Sequence, residues 1–318
     1  MDLIIKKYKN KIMLLAGAIV LIVLLSLFIP NFLTLTGFST ILLTMSTICV
    51  LGVGVTFVLT IGEIDISTGA LLSVPTVIMA VLLKAGTPLV AAVGTGLAAA
   101  VLIGFINGFV TVRIGLPSFI TTLGTSGIAM GLSRIISGNT PTAVKNEFLL
   151  NVFGNELFGI PKTIIWMFVL TIVGYVILHK TRFGKNVQCV GDNREAAFLY
   201  GININSVVIW SFIICAIYVL FAGLLVMGRT TFAKPGDGES LVLNAIVASV
   251  IGGTSIQGGK GSIIGAFFGA FFLSVITNVL FALRFPSWTA NIIIGVIILV
   301  ILTATSIKTK NDREMKQT

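Results

Sequence analysis

Between Lys11 and Glu63 the chain carries no charged residue, a stretch of 51 positions. A helix crosses the hydrocarbon core of a bilayer in about 20 apolar residues, so this stretch holds two crossings. Pro30-Asn31 divides it into candidate spans near 12–29 and 39–61. The basic run Lys6, Lys7, Lys9 and Lys11 ahead of the first looks like the start of a secretory leader. The apolar run behind it is of crossing length, however, and ends in Ile-Pro-Asn without a small-x-small cleavage site. It is therefore expected to stay as a first span.

The same pattern continues. Further spans are expected near 66–83, 89–112, 117–137, 163–178, 207–228, 242–258, 261–283 and 289–306, giving an all-α polytopic membrane protein of about ten transmembrane helices. The segments 117–137 and 242–258 are rich in Gly, Ser and Thr. These two are candidates for broken or re-entrant helices, which membranes tolerate where they are buried in protein or face a cavity. Only 10% of residues are charged, against roughly 25% in a soluble protein. That excludes a soluble fold, and the high apolar content excludes a disordered chain.

The formal charge of +10 would hint at nucleic acid in a soluble protein. In a membrane chain it is first an orientation signal. With the N-terminus in the cytoplasm, 14 of the 21 basic residues fall inside, among them Arg113, Lys180, Arg182, Lys185, Arg194 and Lys260. An even number of spans brings both termini inside. The chain then reads as one transmembrane domain over 1–318, with cytoplasmic segments at 1–11, 179–206 and 307–318. No folded basic module surrounds the tail, so nucleic acid is the weaker reading.

Four polar segments interrupt the apolar runs. Gly62-Glu63-Ile64-Asp65-Ile66-Ser67-Thr68-Gly69 places two carboxylates between two spans. Asp65, Ser67 and Thr68 suit a helix start, with the carboxylate near the next helix's N–H groups. Alternatively Glu63, Asp65 and Ser67 line a solute path, since acids in a membrane segment default to function. Both can hold. The second segment, Lys180 to Ser206, contains Asp192-Asn193-Arg194-Glu195, which fits a capping box with Asp192 as N-cap. Ala196, Ala197, Phe198, Leu199 and Tyr200 continue as a short helix that Gly201 ends. Its apolar face suits a protein partner or the lipid headgroups.

The third segment runs from Ile251 through Gly252, Gly253, Thr254 and Ser255 to Lys260-Gly261-Ser262. It is not a P-loop: Thr254 stands where the first Gly of G-x-x-x-x-G-K-[ST] is required and Gly261 where Ser or Thr is. A tight turn between close-packed helices explains its glycines. The pairs Gly104–Gly108 and Gly127–Gly131 and the run Gly261–Gly265–Gly269 have small-xxx-small spacing for helix packing. The fourth segment, Arg229–Ser240, is a turn-rich loop on the outer side.

No catalytic or metal-binding set accompanies these features. One histidine, His179, is available and is expected at the membrane interface beside Lys180. Cys49, Cys189 and Cys215 are too few and too scattered for a disulfide framework or a metal site, with Cys189 expected in a polar loop. Neither a Ser-His-Asp set nor a buried acidic relay is visible, and no cofactor or metal is expected.

Several of these stretches carry a resemblance. Ile61–Leu71 resembles the "GGIDLSVGS" stretch of ribose-type ABC-transporter permeases. Thr181-Arg182-Phe183-Gly184-Lys185 through Gly191–Ala197 to Gly201-Ile202-Asn203 is similar to their "TRFGR…GGNEEAARLSGIN" loop. Gly252–Ser255 with Gly258–Ser262 resembles "LGGTSLxGGKGS", and Leu116–Gly124 adds a fourth match in order. The resemblance implies a non-enzymatic permease subunit of an ABC importer, in a dimeric pore made with a second copy or a sister permease. Its expected partners are cytoplasmic ATPase subunits and an extracytoplasmic sugar-binding protein. The segment Asp192–Gly201 would be the helix that couples to the ATPase. Gly253, Thr254 and Ser255 would join Glu63, Asp65 and Ser67 as a translocation path or structural break. Glu63 replaces a Gly of the family pattern, and Lys234, Asp237 and Glu239 make their loop more charged than usual, which leaves the sugar open. The rival readings are an ion-coupled secondary transporter and a membrane enzyme.

Overall fold

The structure, a computed structural model, describes residues 34–286 and scattered positions between 288 and 303. The expected span at 12–29, the basic N-terminus and the tail at 307–318 lie outside the described residues, as does most of the span at 289–306.

The apolar runs become helices, and the punctuation between them supplies the caps. Helix α1 (Leu35–Thr60) starts where the Thr34 side chain accepts the Gly37 N–H at 3.2 Å. Helix α2 (Thr68–Lys84) keeps Pro75 inside it. Helix α3 (Leu89–Phe109) runs into a π-helical turn at Val110–Ile114, which Gly115 ends in the left-handed conformation at φ 80°. Helix α4 (Ser118–Ser137) follows Pro117. A proline at such a boundary loses no helical hydrogen bond, because the first N–H groups have no partner within the helix.

Two short elements, strand β1 (Thr142–Ala143) and helix α5 (Glu147–Phe153), lead to a hairpin of β2 (Glu156–Leu157) and β3 (Ile160–Pro161). Helix α6 (Lys162–Lys180) is followed by α7 (Arg182–Asp192) and α8 (Arg194–Leu199). Helix α9 (Ile204–Thr230) leads to β4 (Phe232–Ala233), which pairs antiparallel with β1. Helix α10 (Leu241–Ile251) and helix α11 (Ile263–Ala282) complete the set.

Among the described residues, six helices are long and apolar enough to cross a membrane: α1, α3 with its π turn, α4, α6, α9 and α11. Two more, α2 and α10, are apolar but shorter. Helix α1 lies at the centre and packs against α6, α9, α10 and α11, with α9 continuing to α3 and α2. Its aromatic anchor is Phe57, fully buried and stacked on Tyr218 with ring centroids 6.2 Å apart. In a bilayer burial gains little hydrophobic energy, since lipid is as apolar as leucine, and close van der Waals fit decides packing. The glycines provide that fit. A Cβ at Gly104 would stand 2.8 Å from Ala216 Cβ, and one at Gly108 only 2.6 Å from Ile209 Cα, so α3 and α9 touch backbone to backbone. Cβ atoms at Gly265 and Gly269 would run into the carbonyls of Gly252 and Ala248, fixing α11 on α10.

Three expectations need correction. The segment 117–137 is one uninterrupted helix, α4: the hydroxyls of Thr121, Thr125 and Ser137 bond back to carbonyls one turn earlier, so they do not break it. Gly127 and Gly131 do not pack on another helix among the described residues, since a Cβ at either would meet nothing within 4 Å. Cys189 sits in α7 and not in a loop, because Thr181 caps that helix by accepting the Gly184 N–H at 3.2 Å. The segment 242–258, by contrast, is an 11-residue half-helix followed by a glycine turn, as its composition suggested.

Candidate functional site

At one end of the bundle the chain breaks between α1 and α2. Gly62 takes φ 79° and ends α1. The Glu63 N–H still donates back to the Val58 carbonyl at 3.1 Å, but from residue 64 the chain leaves the helix and its N–H groups need other partners. Helix α4 provides them: the Ile64 N–H donates to Ser118 Oγ and the Ile66 N–H to Thr122 Oγ1, each at 3.1 Å. Asp65 is buried, and its Oδ1 accepts both the Ser67 N–H at 2.8 Å and the Ser67 hydroxyl at 2.5 Å. The carboxylate therefore closes a local turn onto Ser67, the residue just ahead of α2, and does not cap the helix directly. Burial pushes its pKa up to about 6, against the lowering effect of the two Ser67 bonds. Its other oxygen, Oδ2, is buried and has no hydrogen-bond partner.

The polar chain continues from Ser67 into the apolar helices. Asn107 Nδ2 donates to Ser67 Oγ at 2.8 Å, and the Thr125 hydroxyl donates to Asn107 Oδ1 at 2.6 Å. Asn107 is fully buried at the end of α3, just before the π turn. One network thus ties the break to α2, α3 and α4. Sequence reasoning missed Asn107 and Thr125. The available signal was a lone Asn in an uncharged span, which must find a partner in lipid.

Glu63 points away from this network, toward α8. Its Oε1 accepts a hydrogen bond from Arg194 Nη2 in an ion pair. The pair borders a cleft of about 340 Å³, walled also by Thr111, Gly115, Pro117 and Asn205. A π turn such as the one carrying Thr111 is frequent at functional sites.

Helix α8 differs from its expected start. Asn193, not Asp192, is the N-cap: its side chain accepts the Ala196 N–H at 3.0 Å, while Asp192 is the last residue of α7. Two consecutive helices compete for the Asp-Asn pair, and α7 claims the aspartate. Glu195 lies in the first turn of α8, where a negative charge suits the helix dipole. Gly201 follows at φ 76°, as expected. The face made by Phe198, Leu199 and Tyr200 is 70%, 83% and 86% exposed, while Ala197 is buried against the body.

The second break, 252–262, comes to the same end. The Thr254 hydroxyl accepts the Ser262 N–H at 3.2 Å, and Ser255 N–H donates to the Lys260 carbonyl at 2.8 Å, closing the turn. The Gly259 N–H donates to the Thr60 carbonyl at 2.9 Å. Gly191, at the end of α7, has no room for a Cβ between the Thr60 carbonyl and Gly259 N. So the end of α1, the end of α7 and the glycine turn form one close joint. Gly253, Thr254 and Ser255 belong to that turn; they do not join the Asp65 network. His179 lies in the last turn of α6 and packs on Tyr175, with ring centroids 4.9 Å apart.

At the opposite end, the β1–β4 pair joins the loops after α4 and α9, and Arg134 and Glu239 approach to 3.6 Å. Burial pushes the Asp237 carboxyl up, partly offset by Lys234.

Comparison with known proteins gives a consistent picture. Residues 37–302 match the family described as branched-chain amino acid transport system / permease component. The ribose import permease protein RbsC of Bacillus subtilis (strain 168) is 31% identical over 286 residues, covering 89% of each chain. That of Escherichia coli (strain K12) is 31% identical over 289 residues, covering 90% of each. The autoinducer 2 import system permease protein LsrC of Yersinia pseudotuberculosis serotype O:3 (strain YPIII) is 32% identical over 289 residues, 91% of this chain and 82% of the relative. No solved structure matches the chain significantly.

Proposed function

This chain belongs to the permease-component family of branched-chain amino acid transport systems, and from that premise we infer that it is the membrane-spanning subunit of an ATP-driven ABC importer for a neutral sugar. It is a multi-pass membrane protein. The relatives are named for import of ribose and of autoinducer 2, and a ribose-like monosaccharide is the proposed cargo here. A span complement of ten, both termini in the cytoplasm and one transmembrane domain over 1–318 complete the proposal.

The observation that carries the mechanism is α8. A six-residue helix that lies outside the spans, seated on α7 and α9, and exposes Phe198, Leu199 and Tyr200 is costly in water unless a partner covers that face. The proposed partner is a cytoplasmic ATPase subunit, which supplies the ATP hydrolysis this chain has no motif for. Asp192 to Gly201 then form the ATPase-coupling segment. An extracytoplasmic binding protein delivers the sugar to the opposite end, and a second copy or sister permease completes the pore. The break at Glu63, Asp65 and Ser67 and the turn at Gly253, Thr254 and Ser255 sit where the cytoplasmic gate of the path is proposed. Hydroxyl and amide groups there suit a neutral, hydroxyl-rich solute.

Replacing Phe198 and Leu199 together by Asp tests this role. Surface changes of this kind move stability by roughly 0.5 kcal/mol or less, so the thermal midpoint in detergent stays put. ATP-dependent uptake is expected to fall at least about tenfold, equivalent to roughly 1.4 kcal/mol of lost coupling. Uptake equal to wild type would remove α8 from the coupling role. One observation favours the ion-coupled alternative: the buried Asp65 carboxyl with its free Oδ2 could carry a proton. That alternative calls for uptake that an ionophore abolishes.

A further inference from the structure

Helix α8 reaches the break after α1 by two routes of different kind. The first is backbone packing. Gly191, just ahead of α8, lies against the Thr60 carbonyl and Gly259 with no space for a side chain. The second is the Glu63–Arg194 ion pair, which joins the first residue of α8 directly to the break. Helix α8 itself packs on α7 and α9. The break is in turn bonded to α4 through the Ile64 and Ile66 N–H groups, and to α3 through Ser67 and Asn107. Any displacement of α8 that Glu63 follows is therefore passed to the segment holding α2, α3 and α4 together.

The pair has the exposure expected of a working link. The Glu63 side chain is 13% exposed and that of Arg194 45%, so the carboxylate is held by the fold while the guanidinium rides on α8. It also borders the cleft whose other walls are the π turn of Thr111 and the Gly115–Pro117 corner, the hinge-like junction between α3 and α4. Water reaches the guanidinium side of the pair, and that screening limits what the pair adds to folding.

We propose that Glu63 and Arg194 are positioning residues: their pair makes the 61–67 break follow α8, so that ATP turnover in the partner is converted into opening of the path. The proposal rests on the importer reading above. The experiment is a double-mutant cycle of E63Q, R194Q and E63Q/R194Q in the full transporter, reconstituted with its ATPase and binding protein. The readout is ATP hydrolysed per sugar imported. Each single variant is expected to raise this ratio several-fold, and the double variant to equal the singles, because either change removes the same link. Glu63→Ala is a second removal of the carboxylate should E63Q fold poorly, and thermal midpoints establish that the variants are folded. A wild-type ratio in the single variants, or effects that multiply in the double, would overturn the link while leaving the importer reading intact. Absence of ATP-dependent uptake in the wild-type complex would instead sink the importer reading itself.

Discussion

Asp65 has one carboxylate oxygen that accepts two hydrogen bonds from Ser67 and one with no hydrogen-bond partner among the described residues. Such a group is easier to bury as the neutral acid. With its pKa pushed up to about 6 by burial in the fold, against an ordinary 3.8, the folded protein binds the proton more tightly than the unfolded chain. The sign follows from linkage: stability is greatest when the carboxyl is protonated, falls as pH rises from about 4 to about 6, and is flat above. The thermal midpoint in detergent is expected to rise by a few degrees between pH 7 and pH 5. Asp65→Asn should flatten that slope while keeping the Oδ1 acceptor for Ser67. A slope unchanged in the variant would locate the titration elsewhere, with Asp237, also raised by burial, the next group to replace. Glu63 and Asp65 were legible in the sequence because charge is conspicuous in a chain with so little of it, and Ser67 because it stands at a helix start beside them. Their partners Asn107 and Thr125 were not, since uncharged polar residues recur along the spans and only the fold brings these two to Ser67.

At the scale of elements, the glycines separate into those that hold helices together and those that do not. Spacing alone could not tell them apart. Gly104–Gly108 and Gly265–Gly269 are packed against neighbouring backbone, whereas Gly124, Gly127 and Gly131 on α4 meet nothing within 4 Å among the described residues. Gly191→Ala should lower the thermal midpoint sharply, on the order of 1–3 kcal/mol of overpacking, because the Thr60 carbonyl and Gly259 cannot both withdraw. Gly127→Ala should leave the midpoint of the monomer unchanged or slightly raised, since alanine is the better helix former. Thermal shift measurements on the two purified variants decide the matter. The short helix at 194–199 was readable from its caps and apolar run, and its start missed by one residue. The competing helix α7 was missed because Arg182 to Asp192 hold no continuous apolar run; its signal was the spacing of Phe183, Val187 and Val190, which puts three apolar side chains on one helical face. The half-helix α10 was visible for the opposite reason: the apolar run stops at Ile251 and glycines begin.

At the scale of the molecule, two ends with different chemistry are joined by nearly uncharged helices. One end carries both breaks, the α7–α8 arm and the cleft between Glu63 and Arg194. The other carries the paired loops around β1 and β4. That polarity is what an importer requires, with energy applied at one end and cargo received at the other. The most direct test is sugar uptake into vesicles holding this chain with its ATPase and its binding protein. The expected result is uptake of a ribose-like sugar that needs ATP, the ATPase and the binding protein, and that survives an ionophore. Uptake that persists without the ATPase and collapses when the ion gradient is dissipated would contradict it.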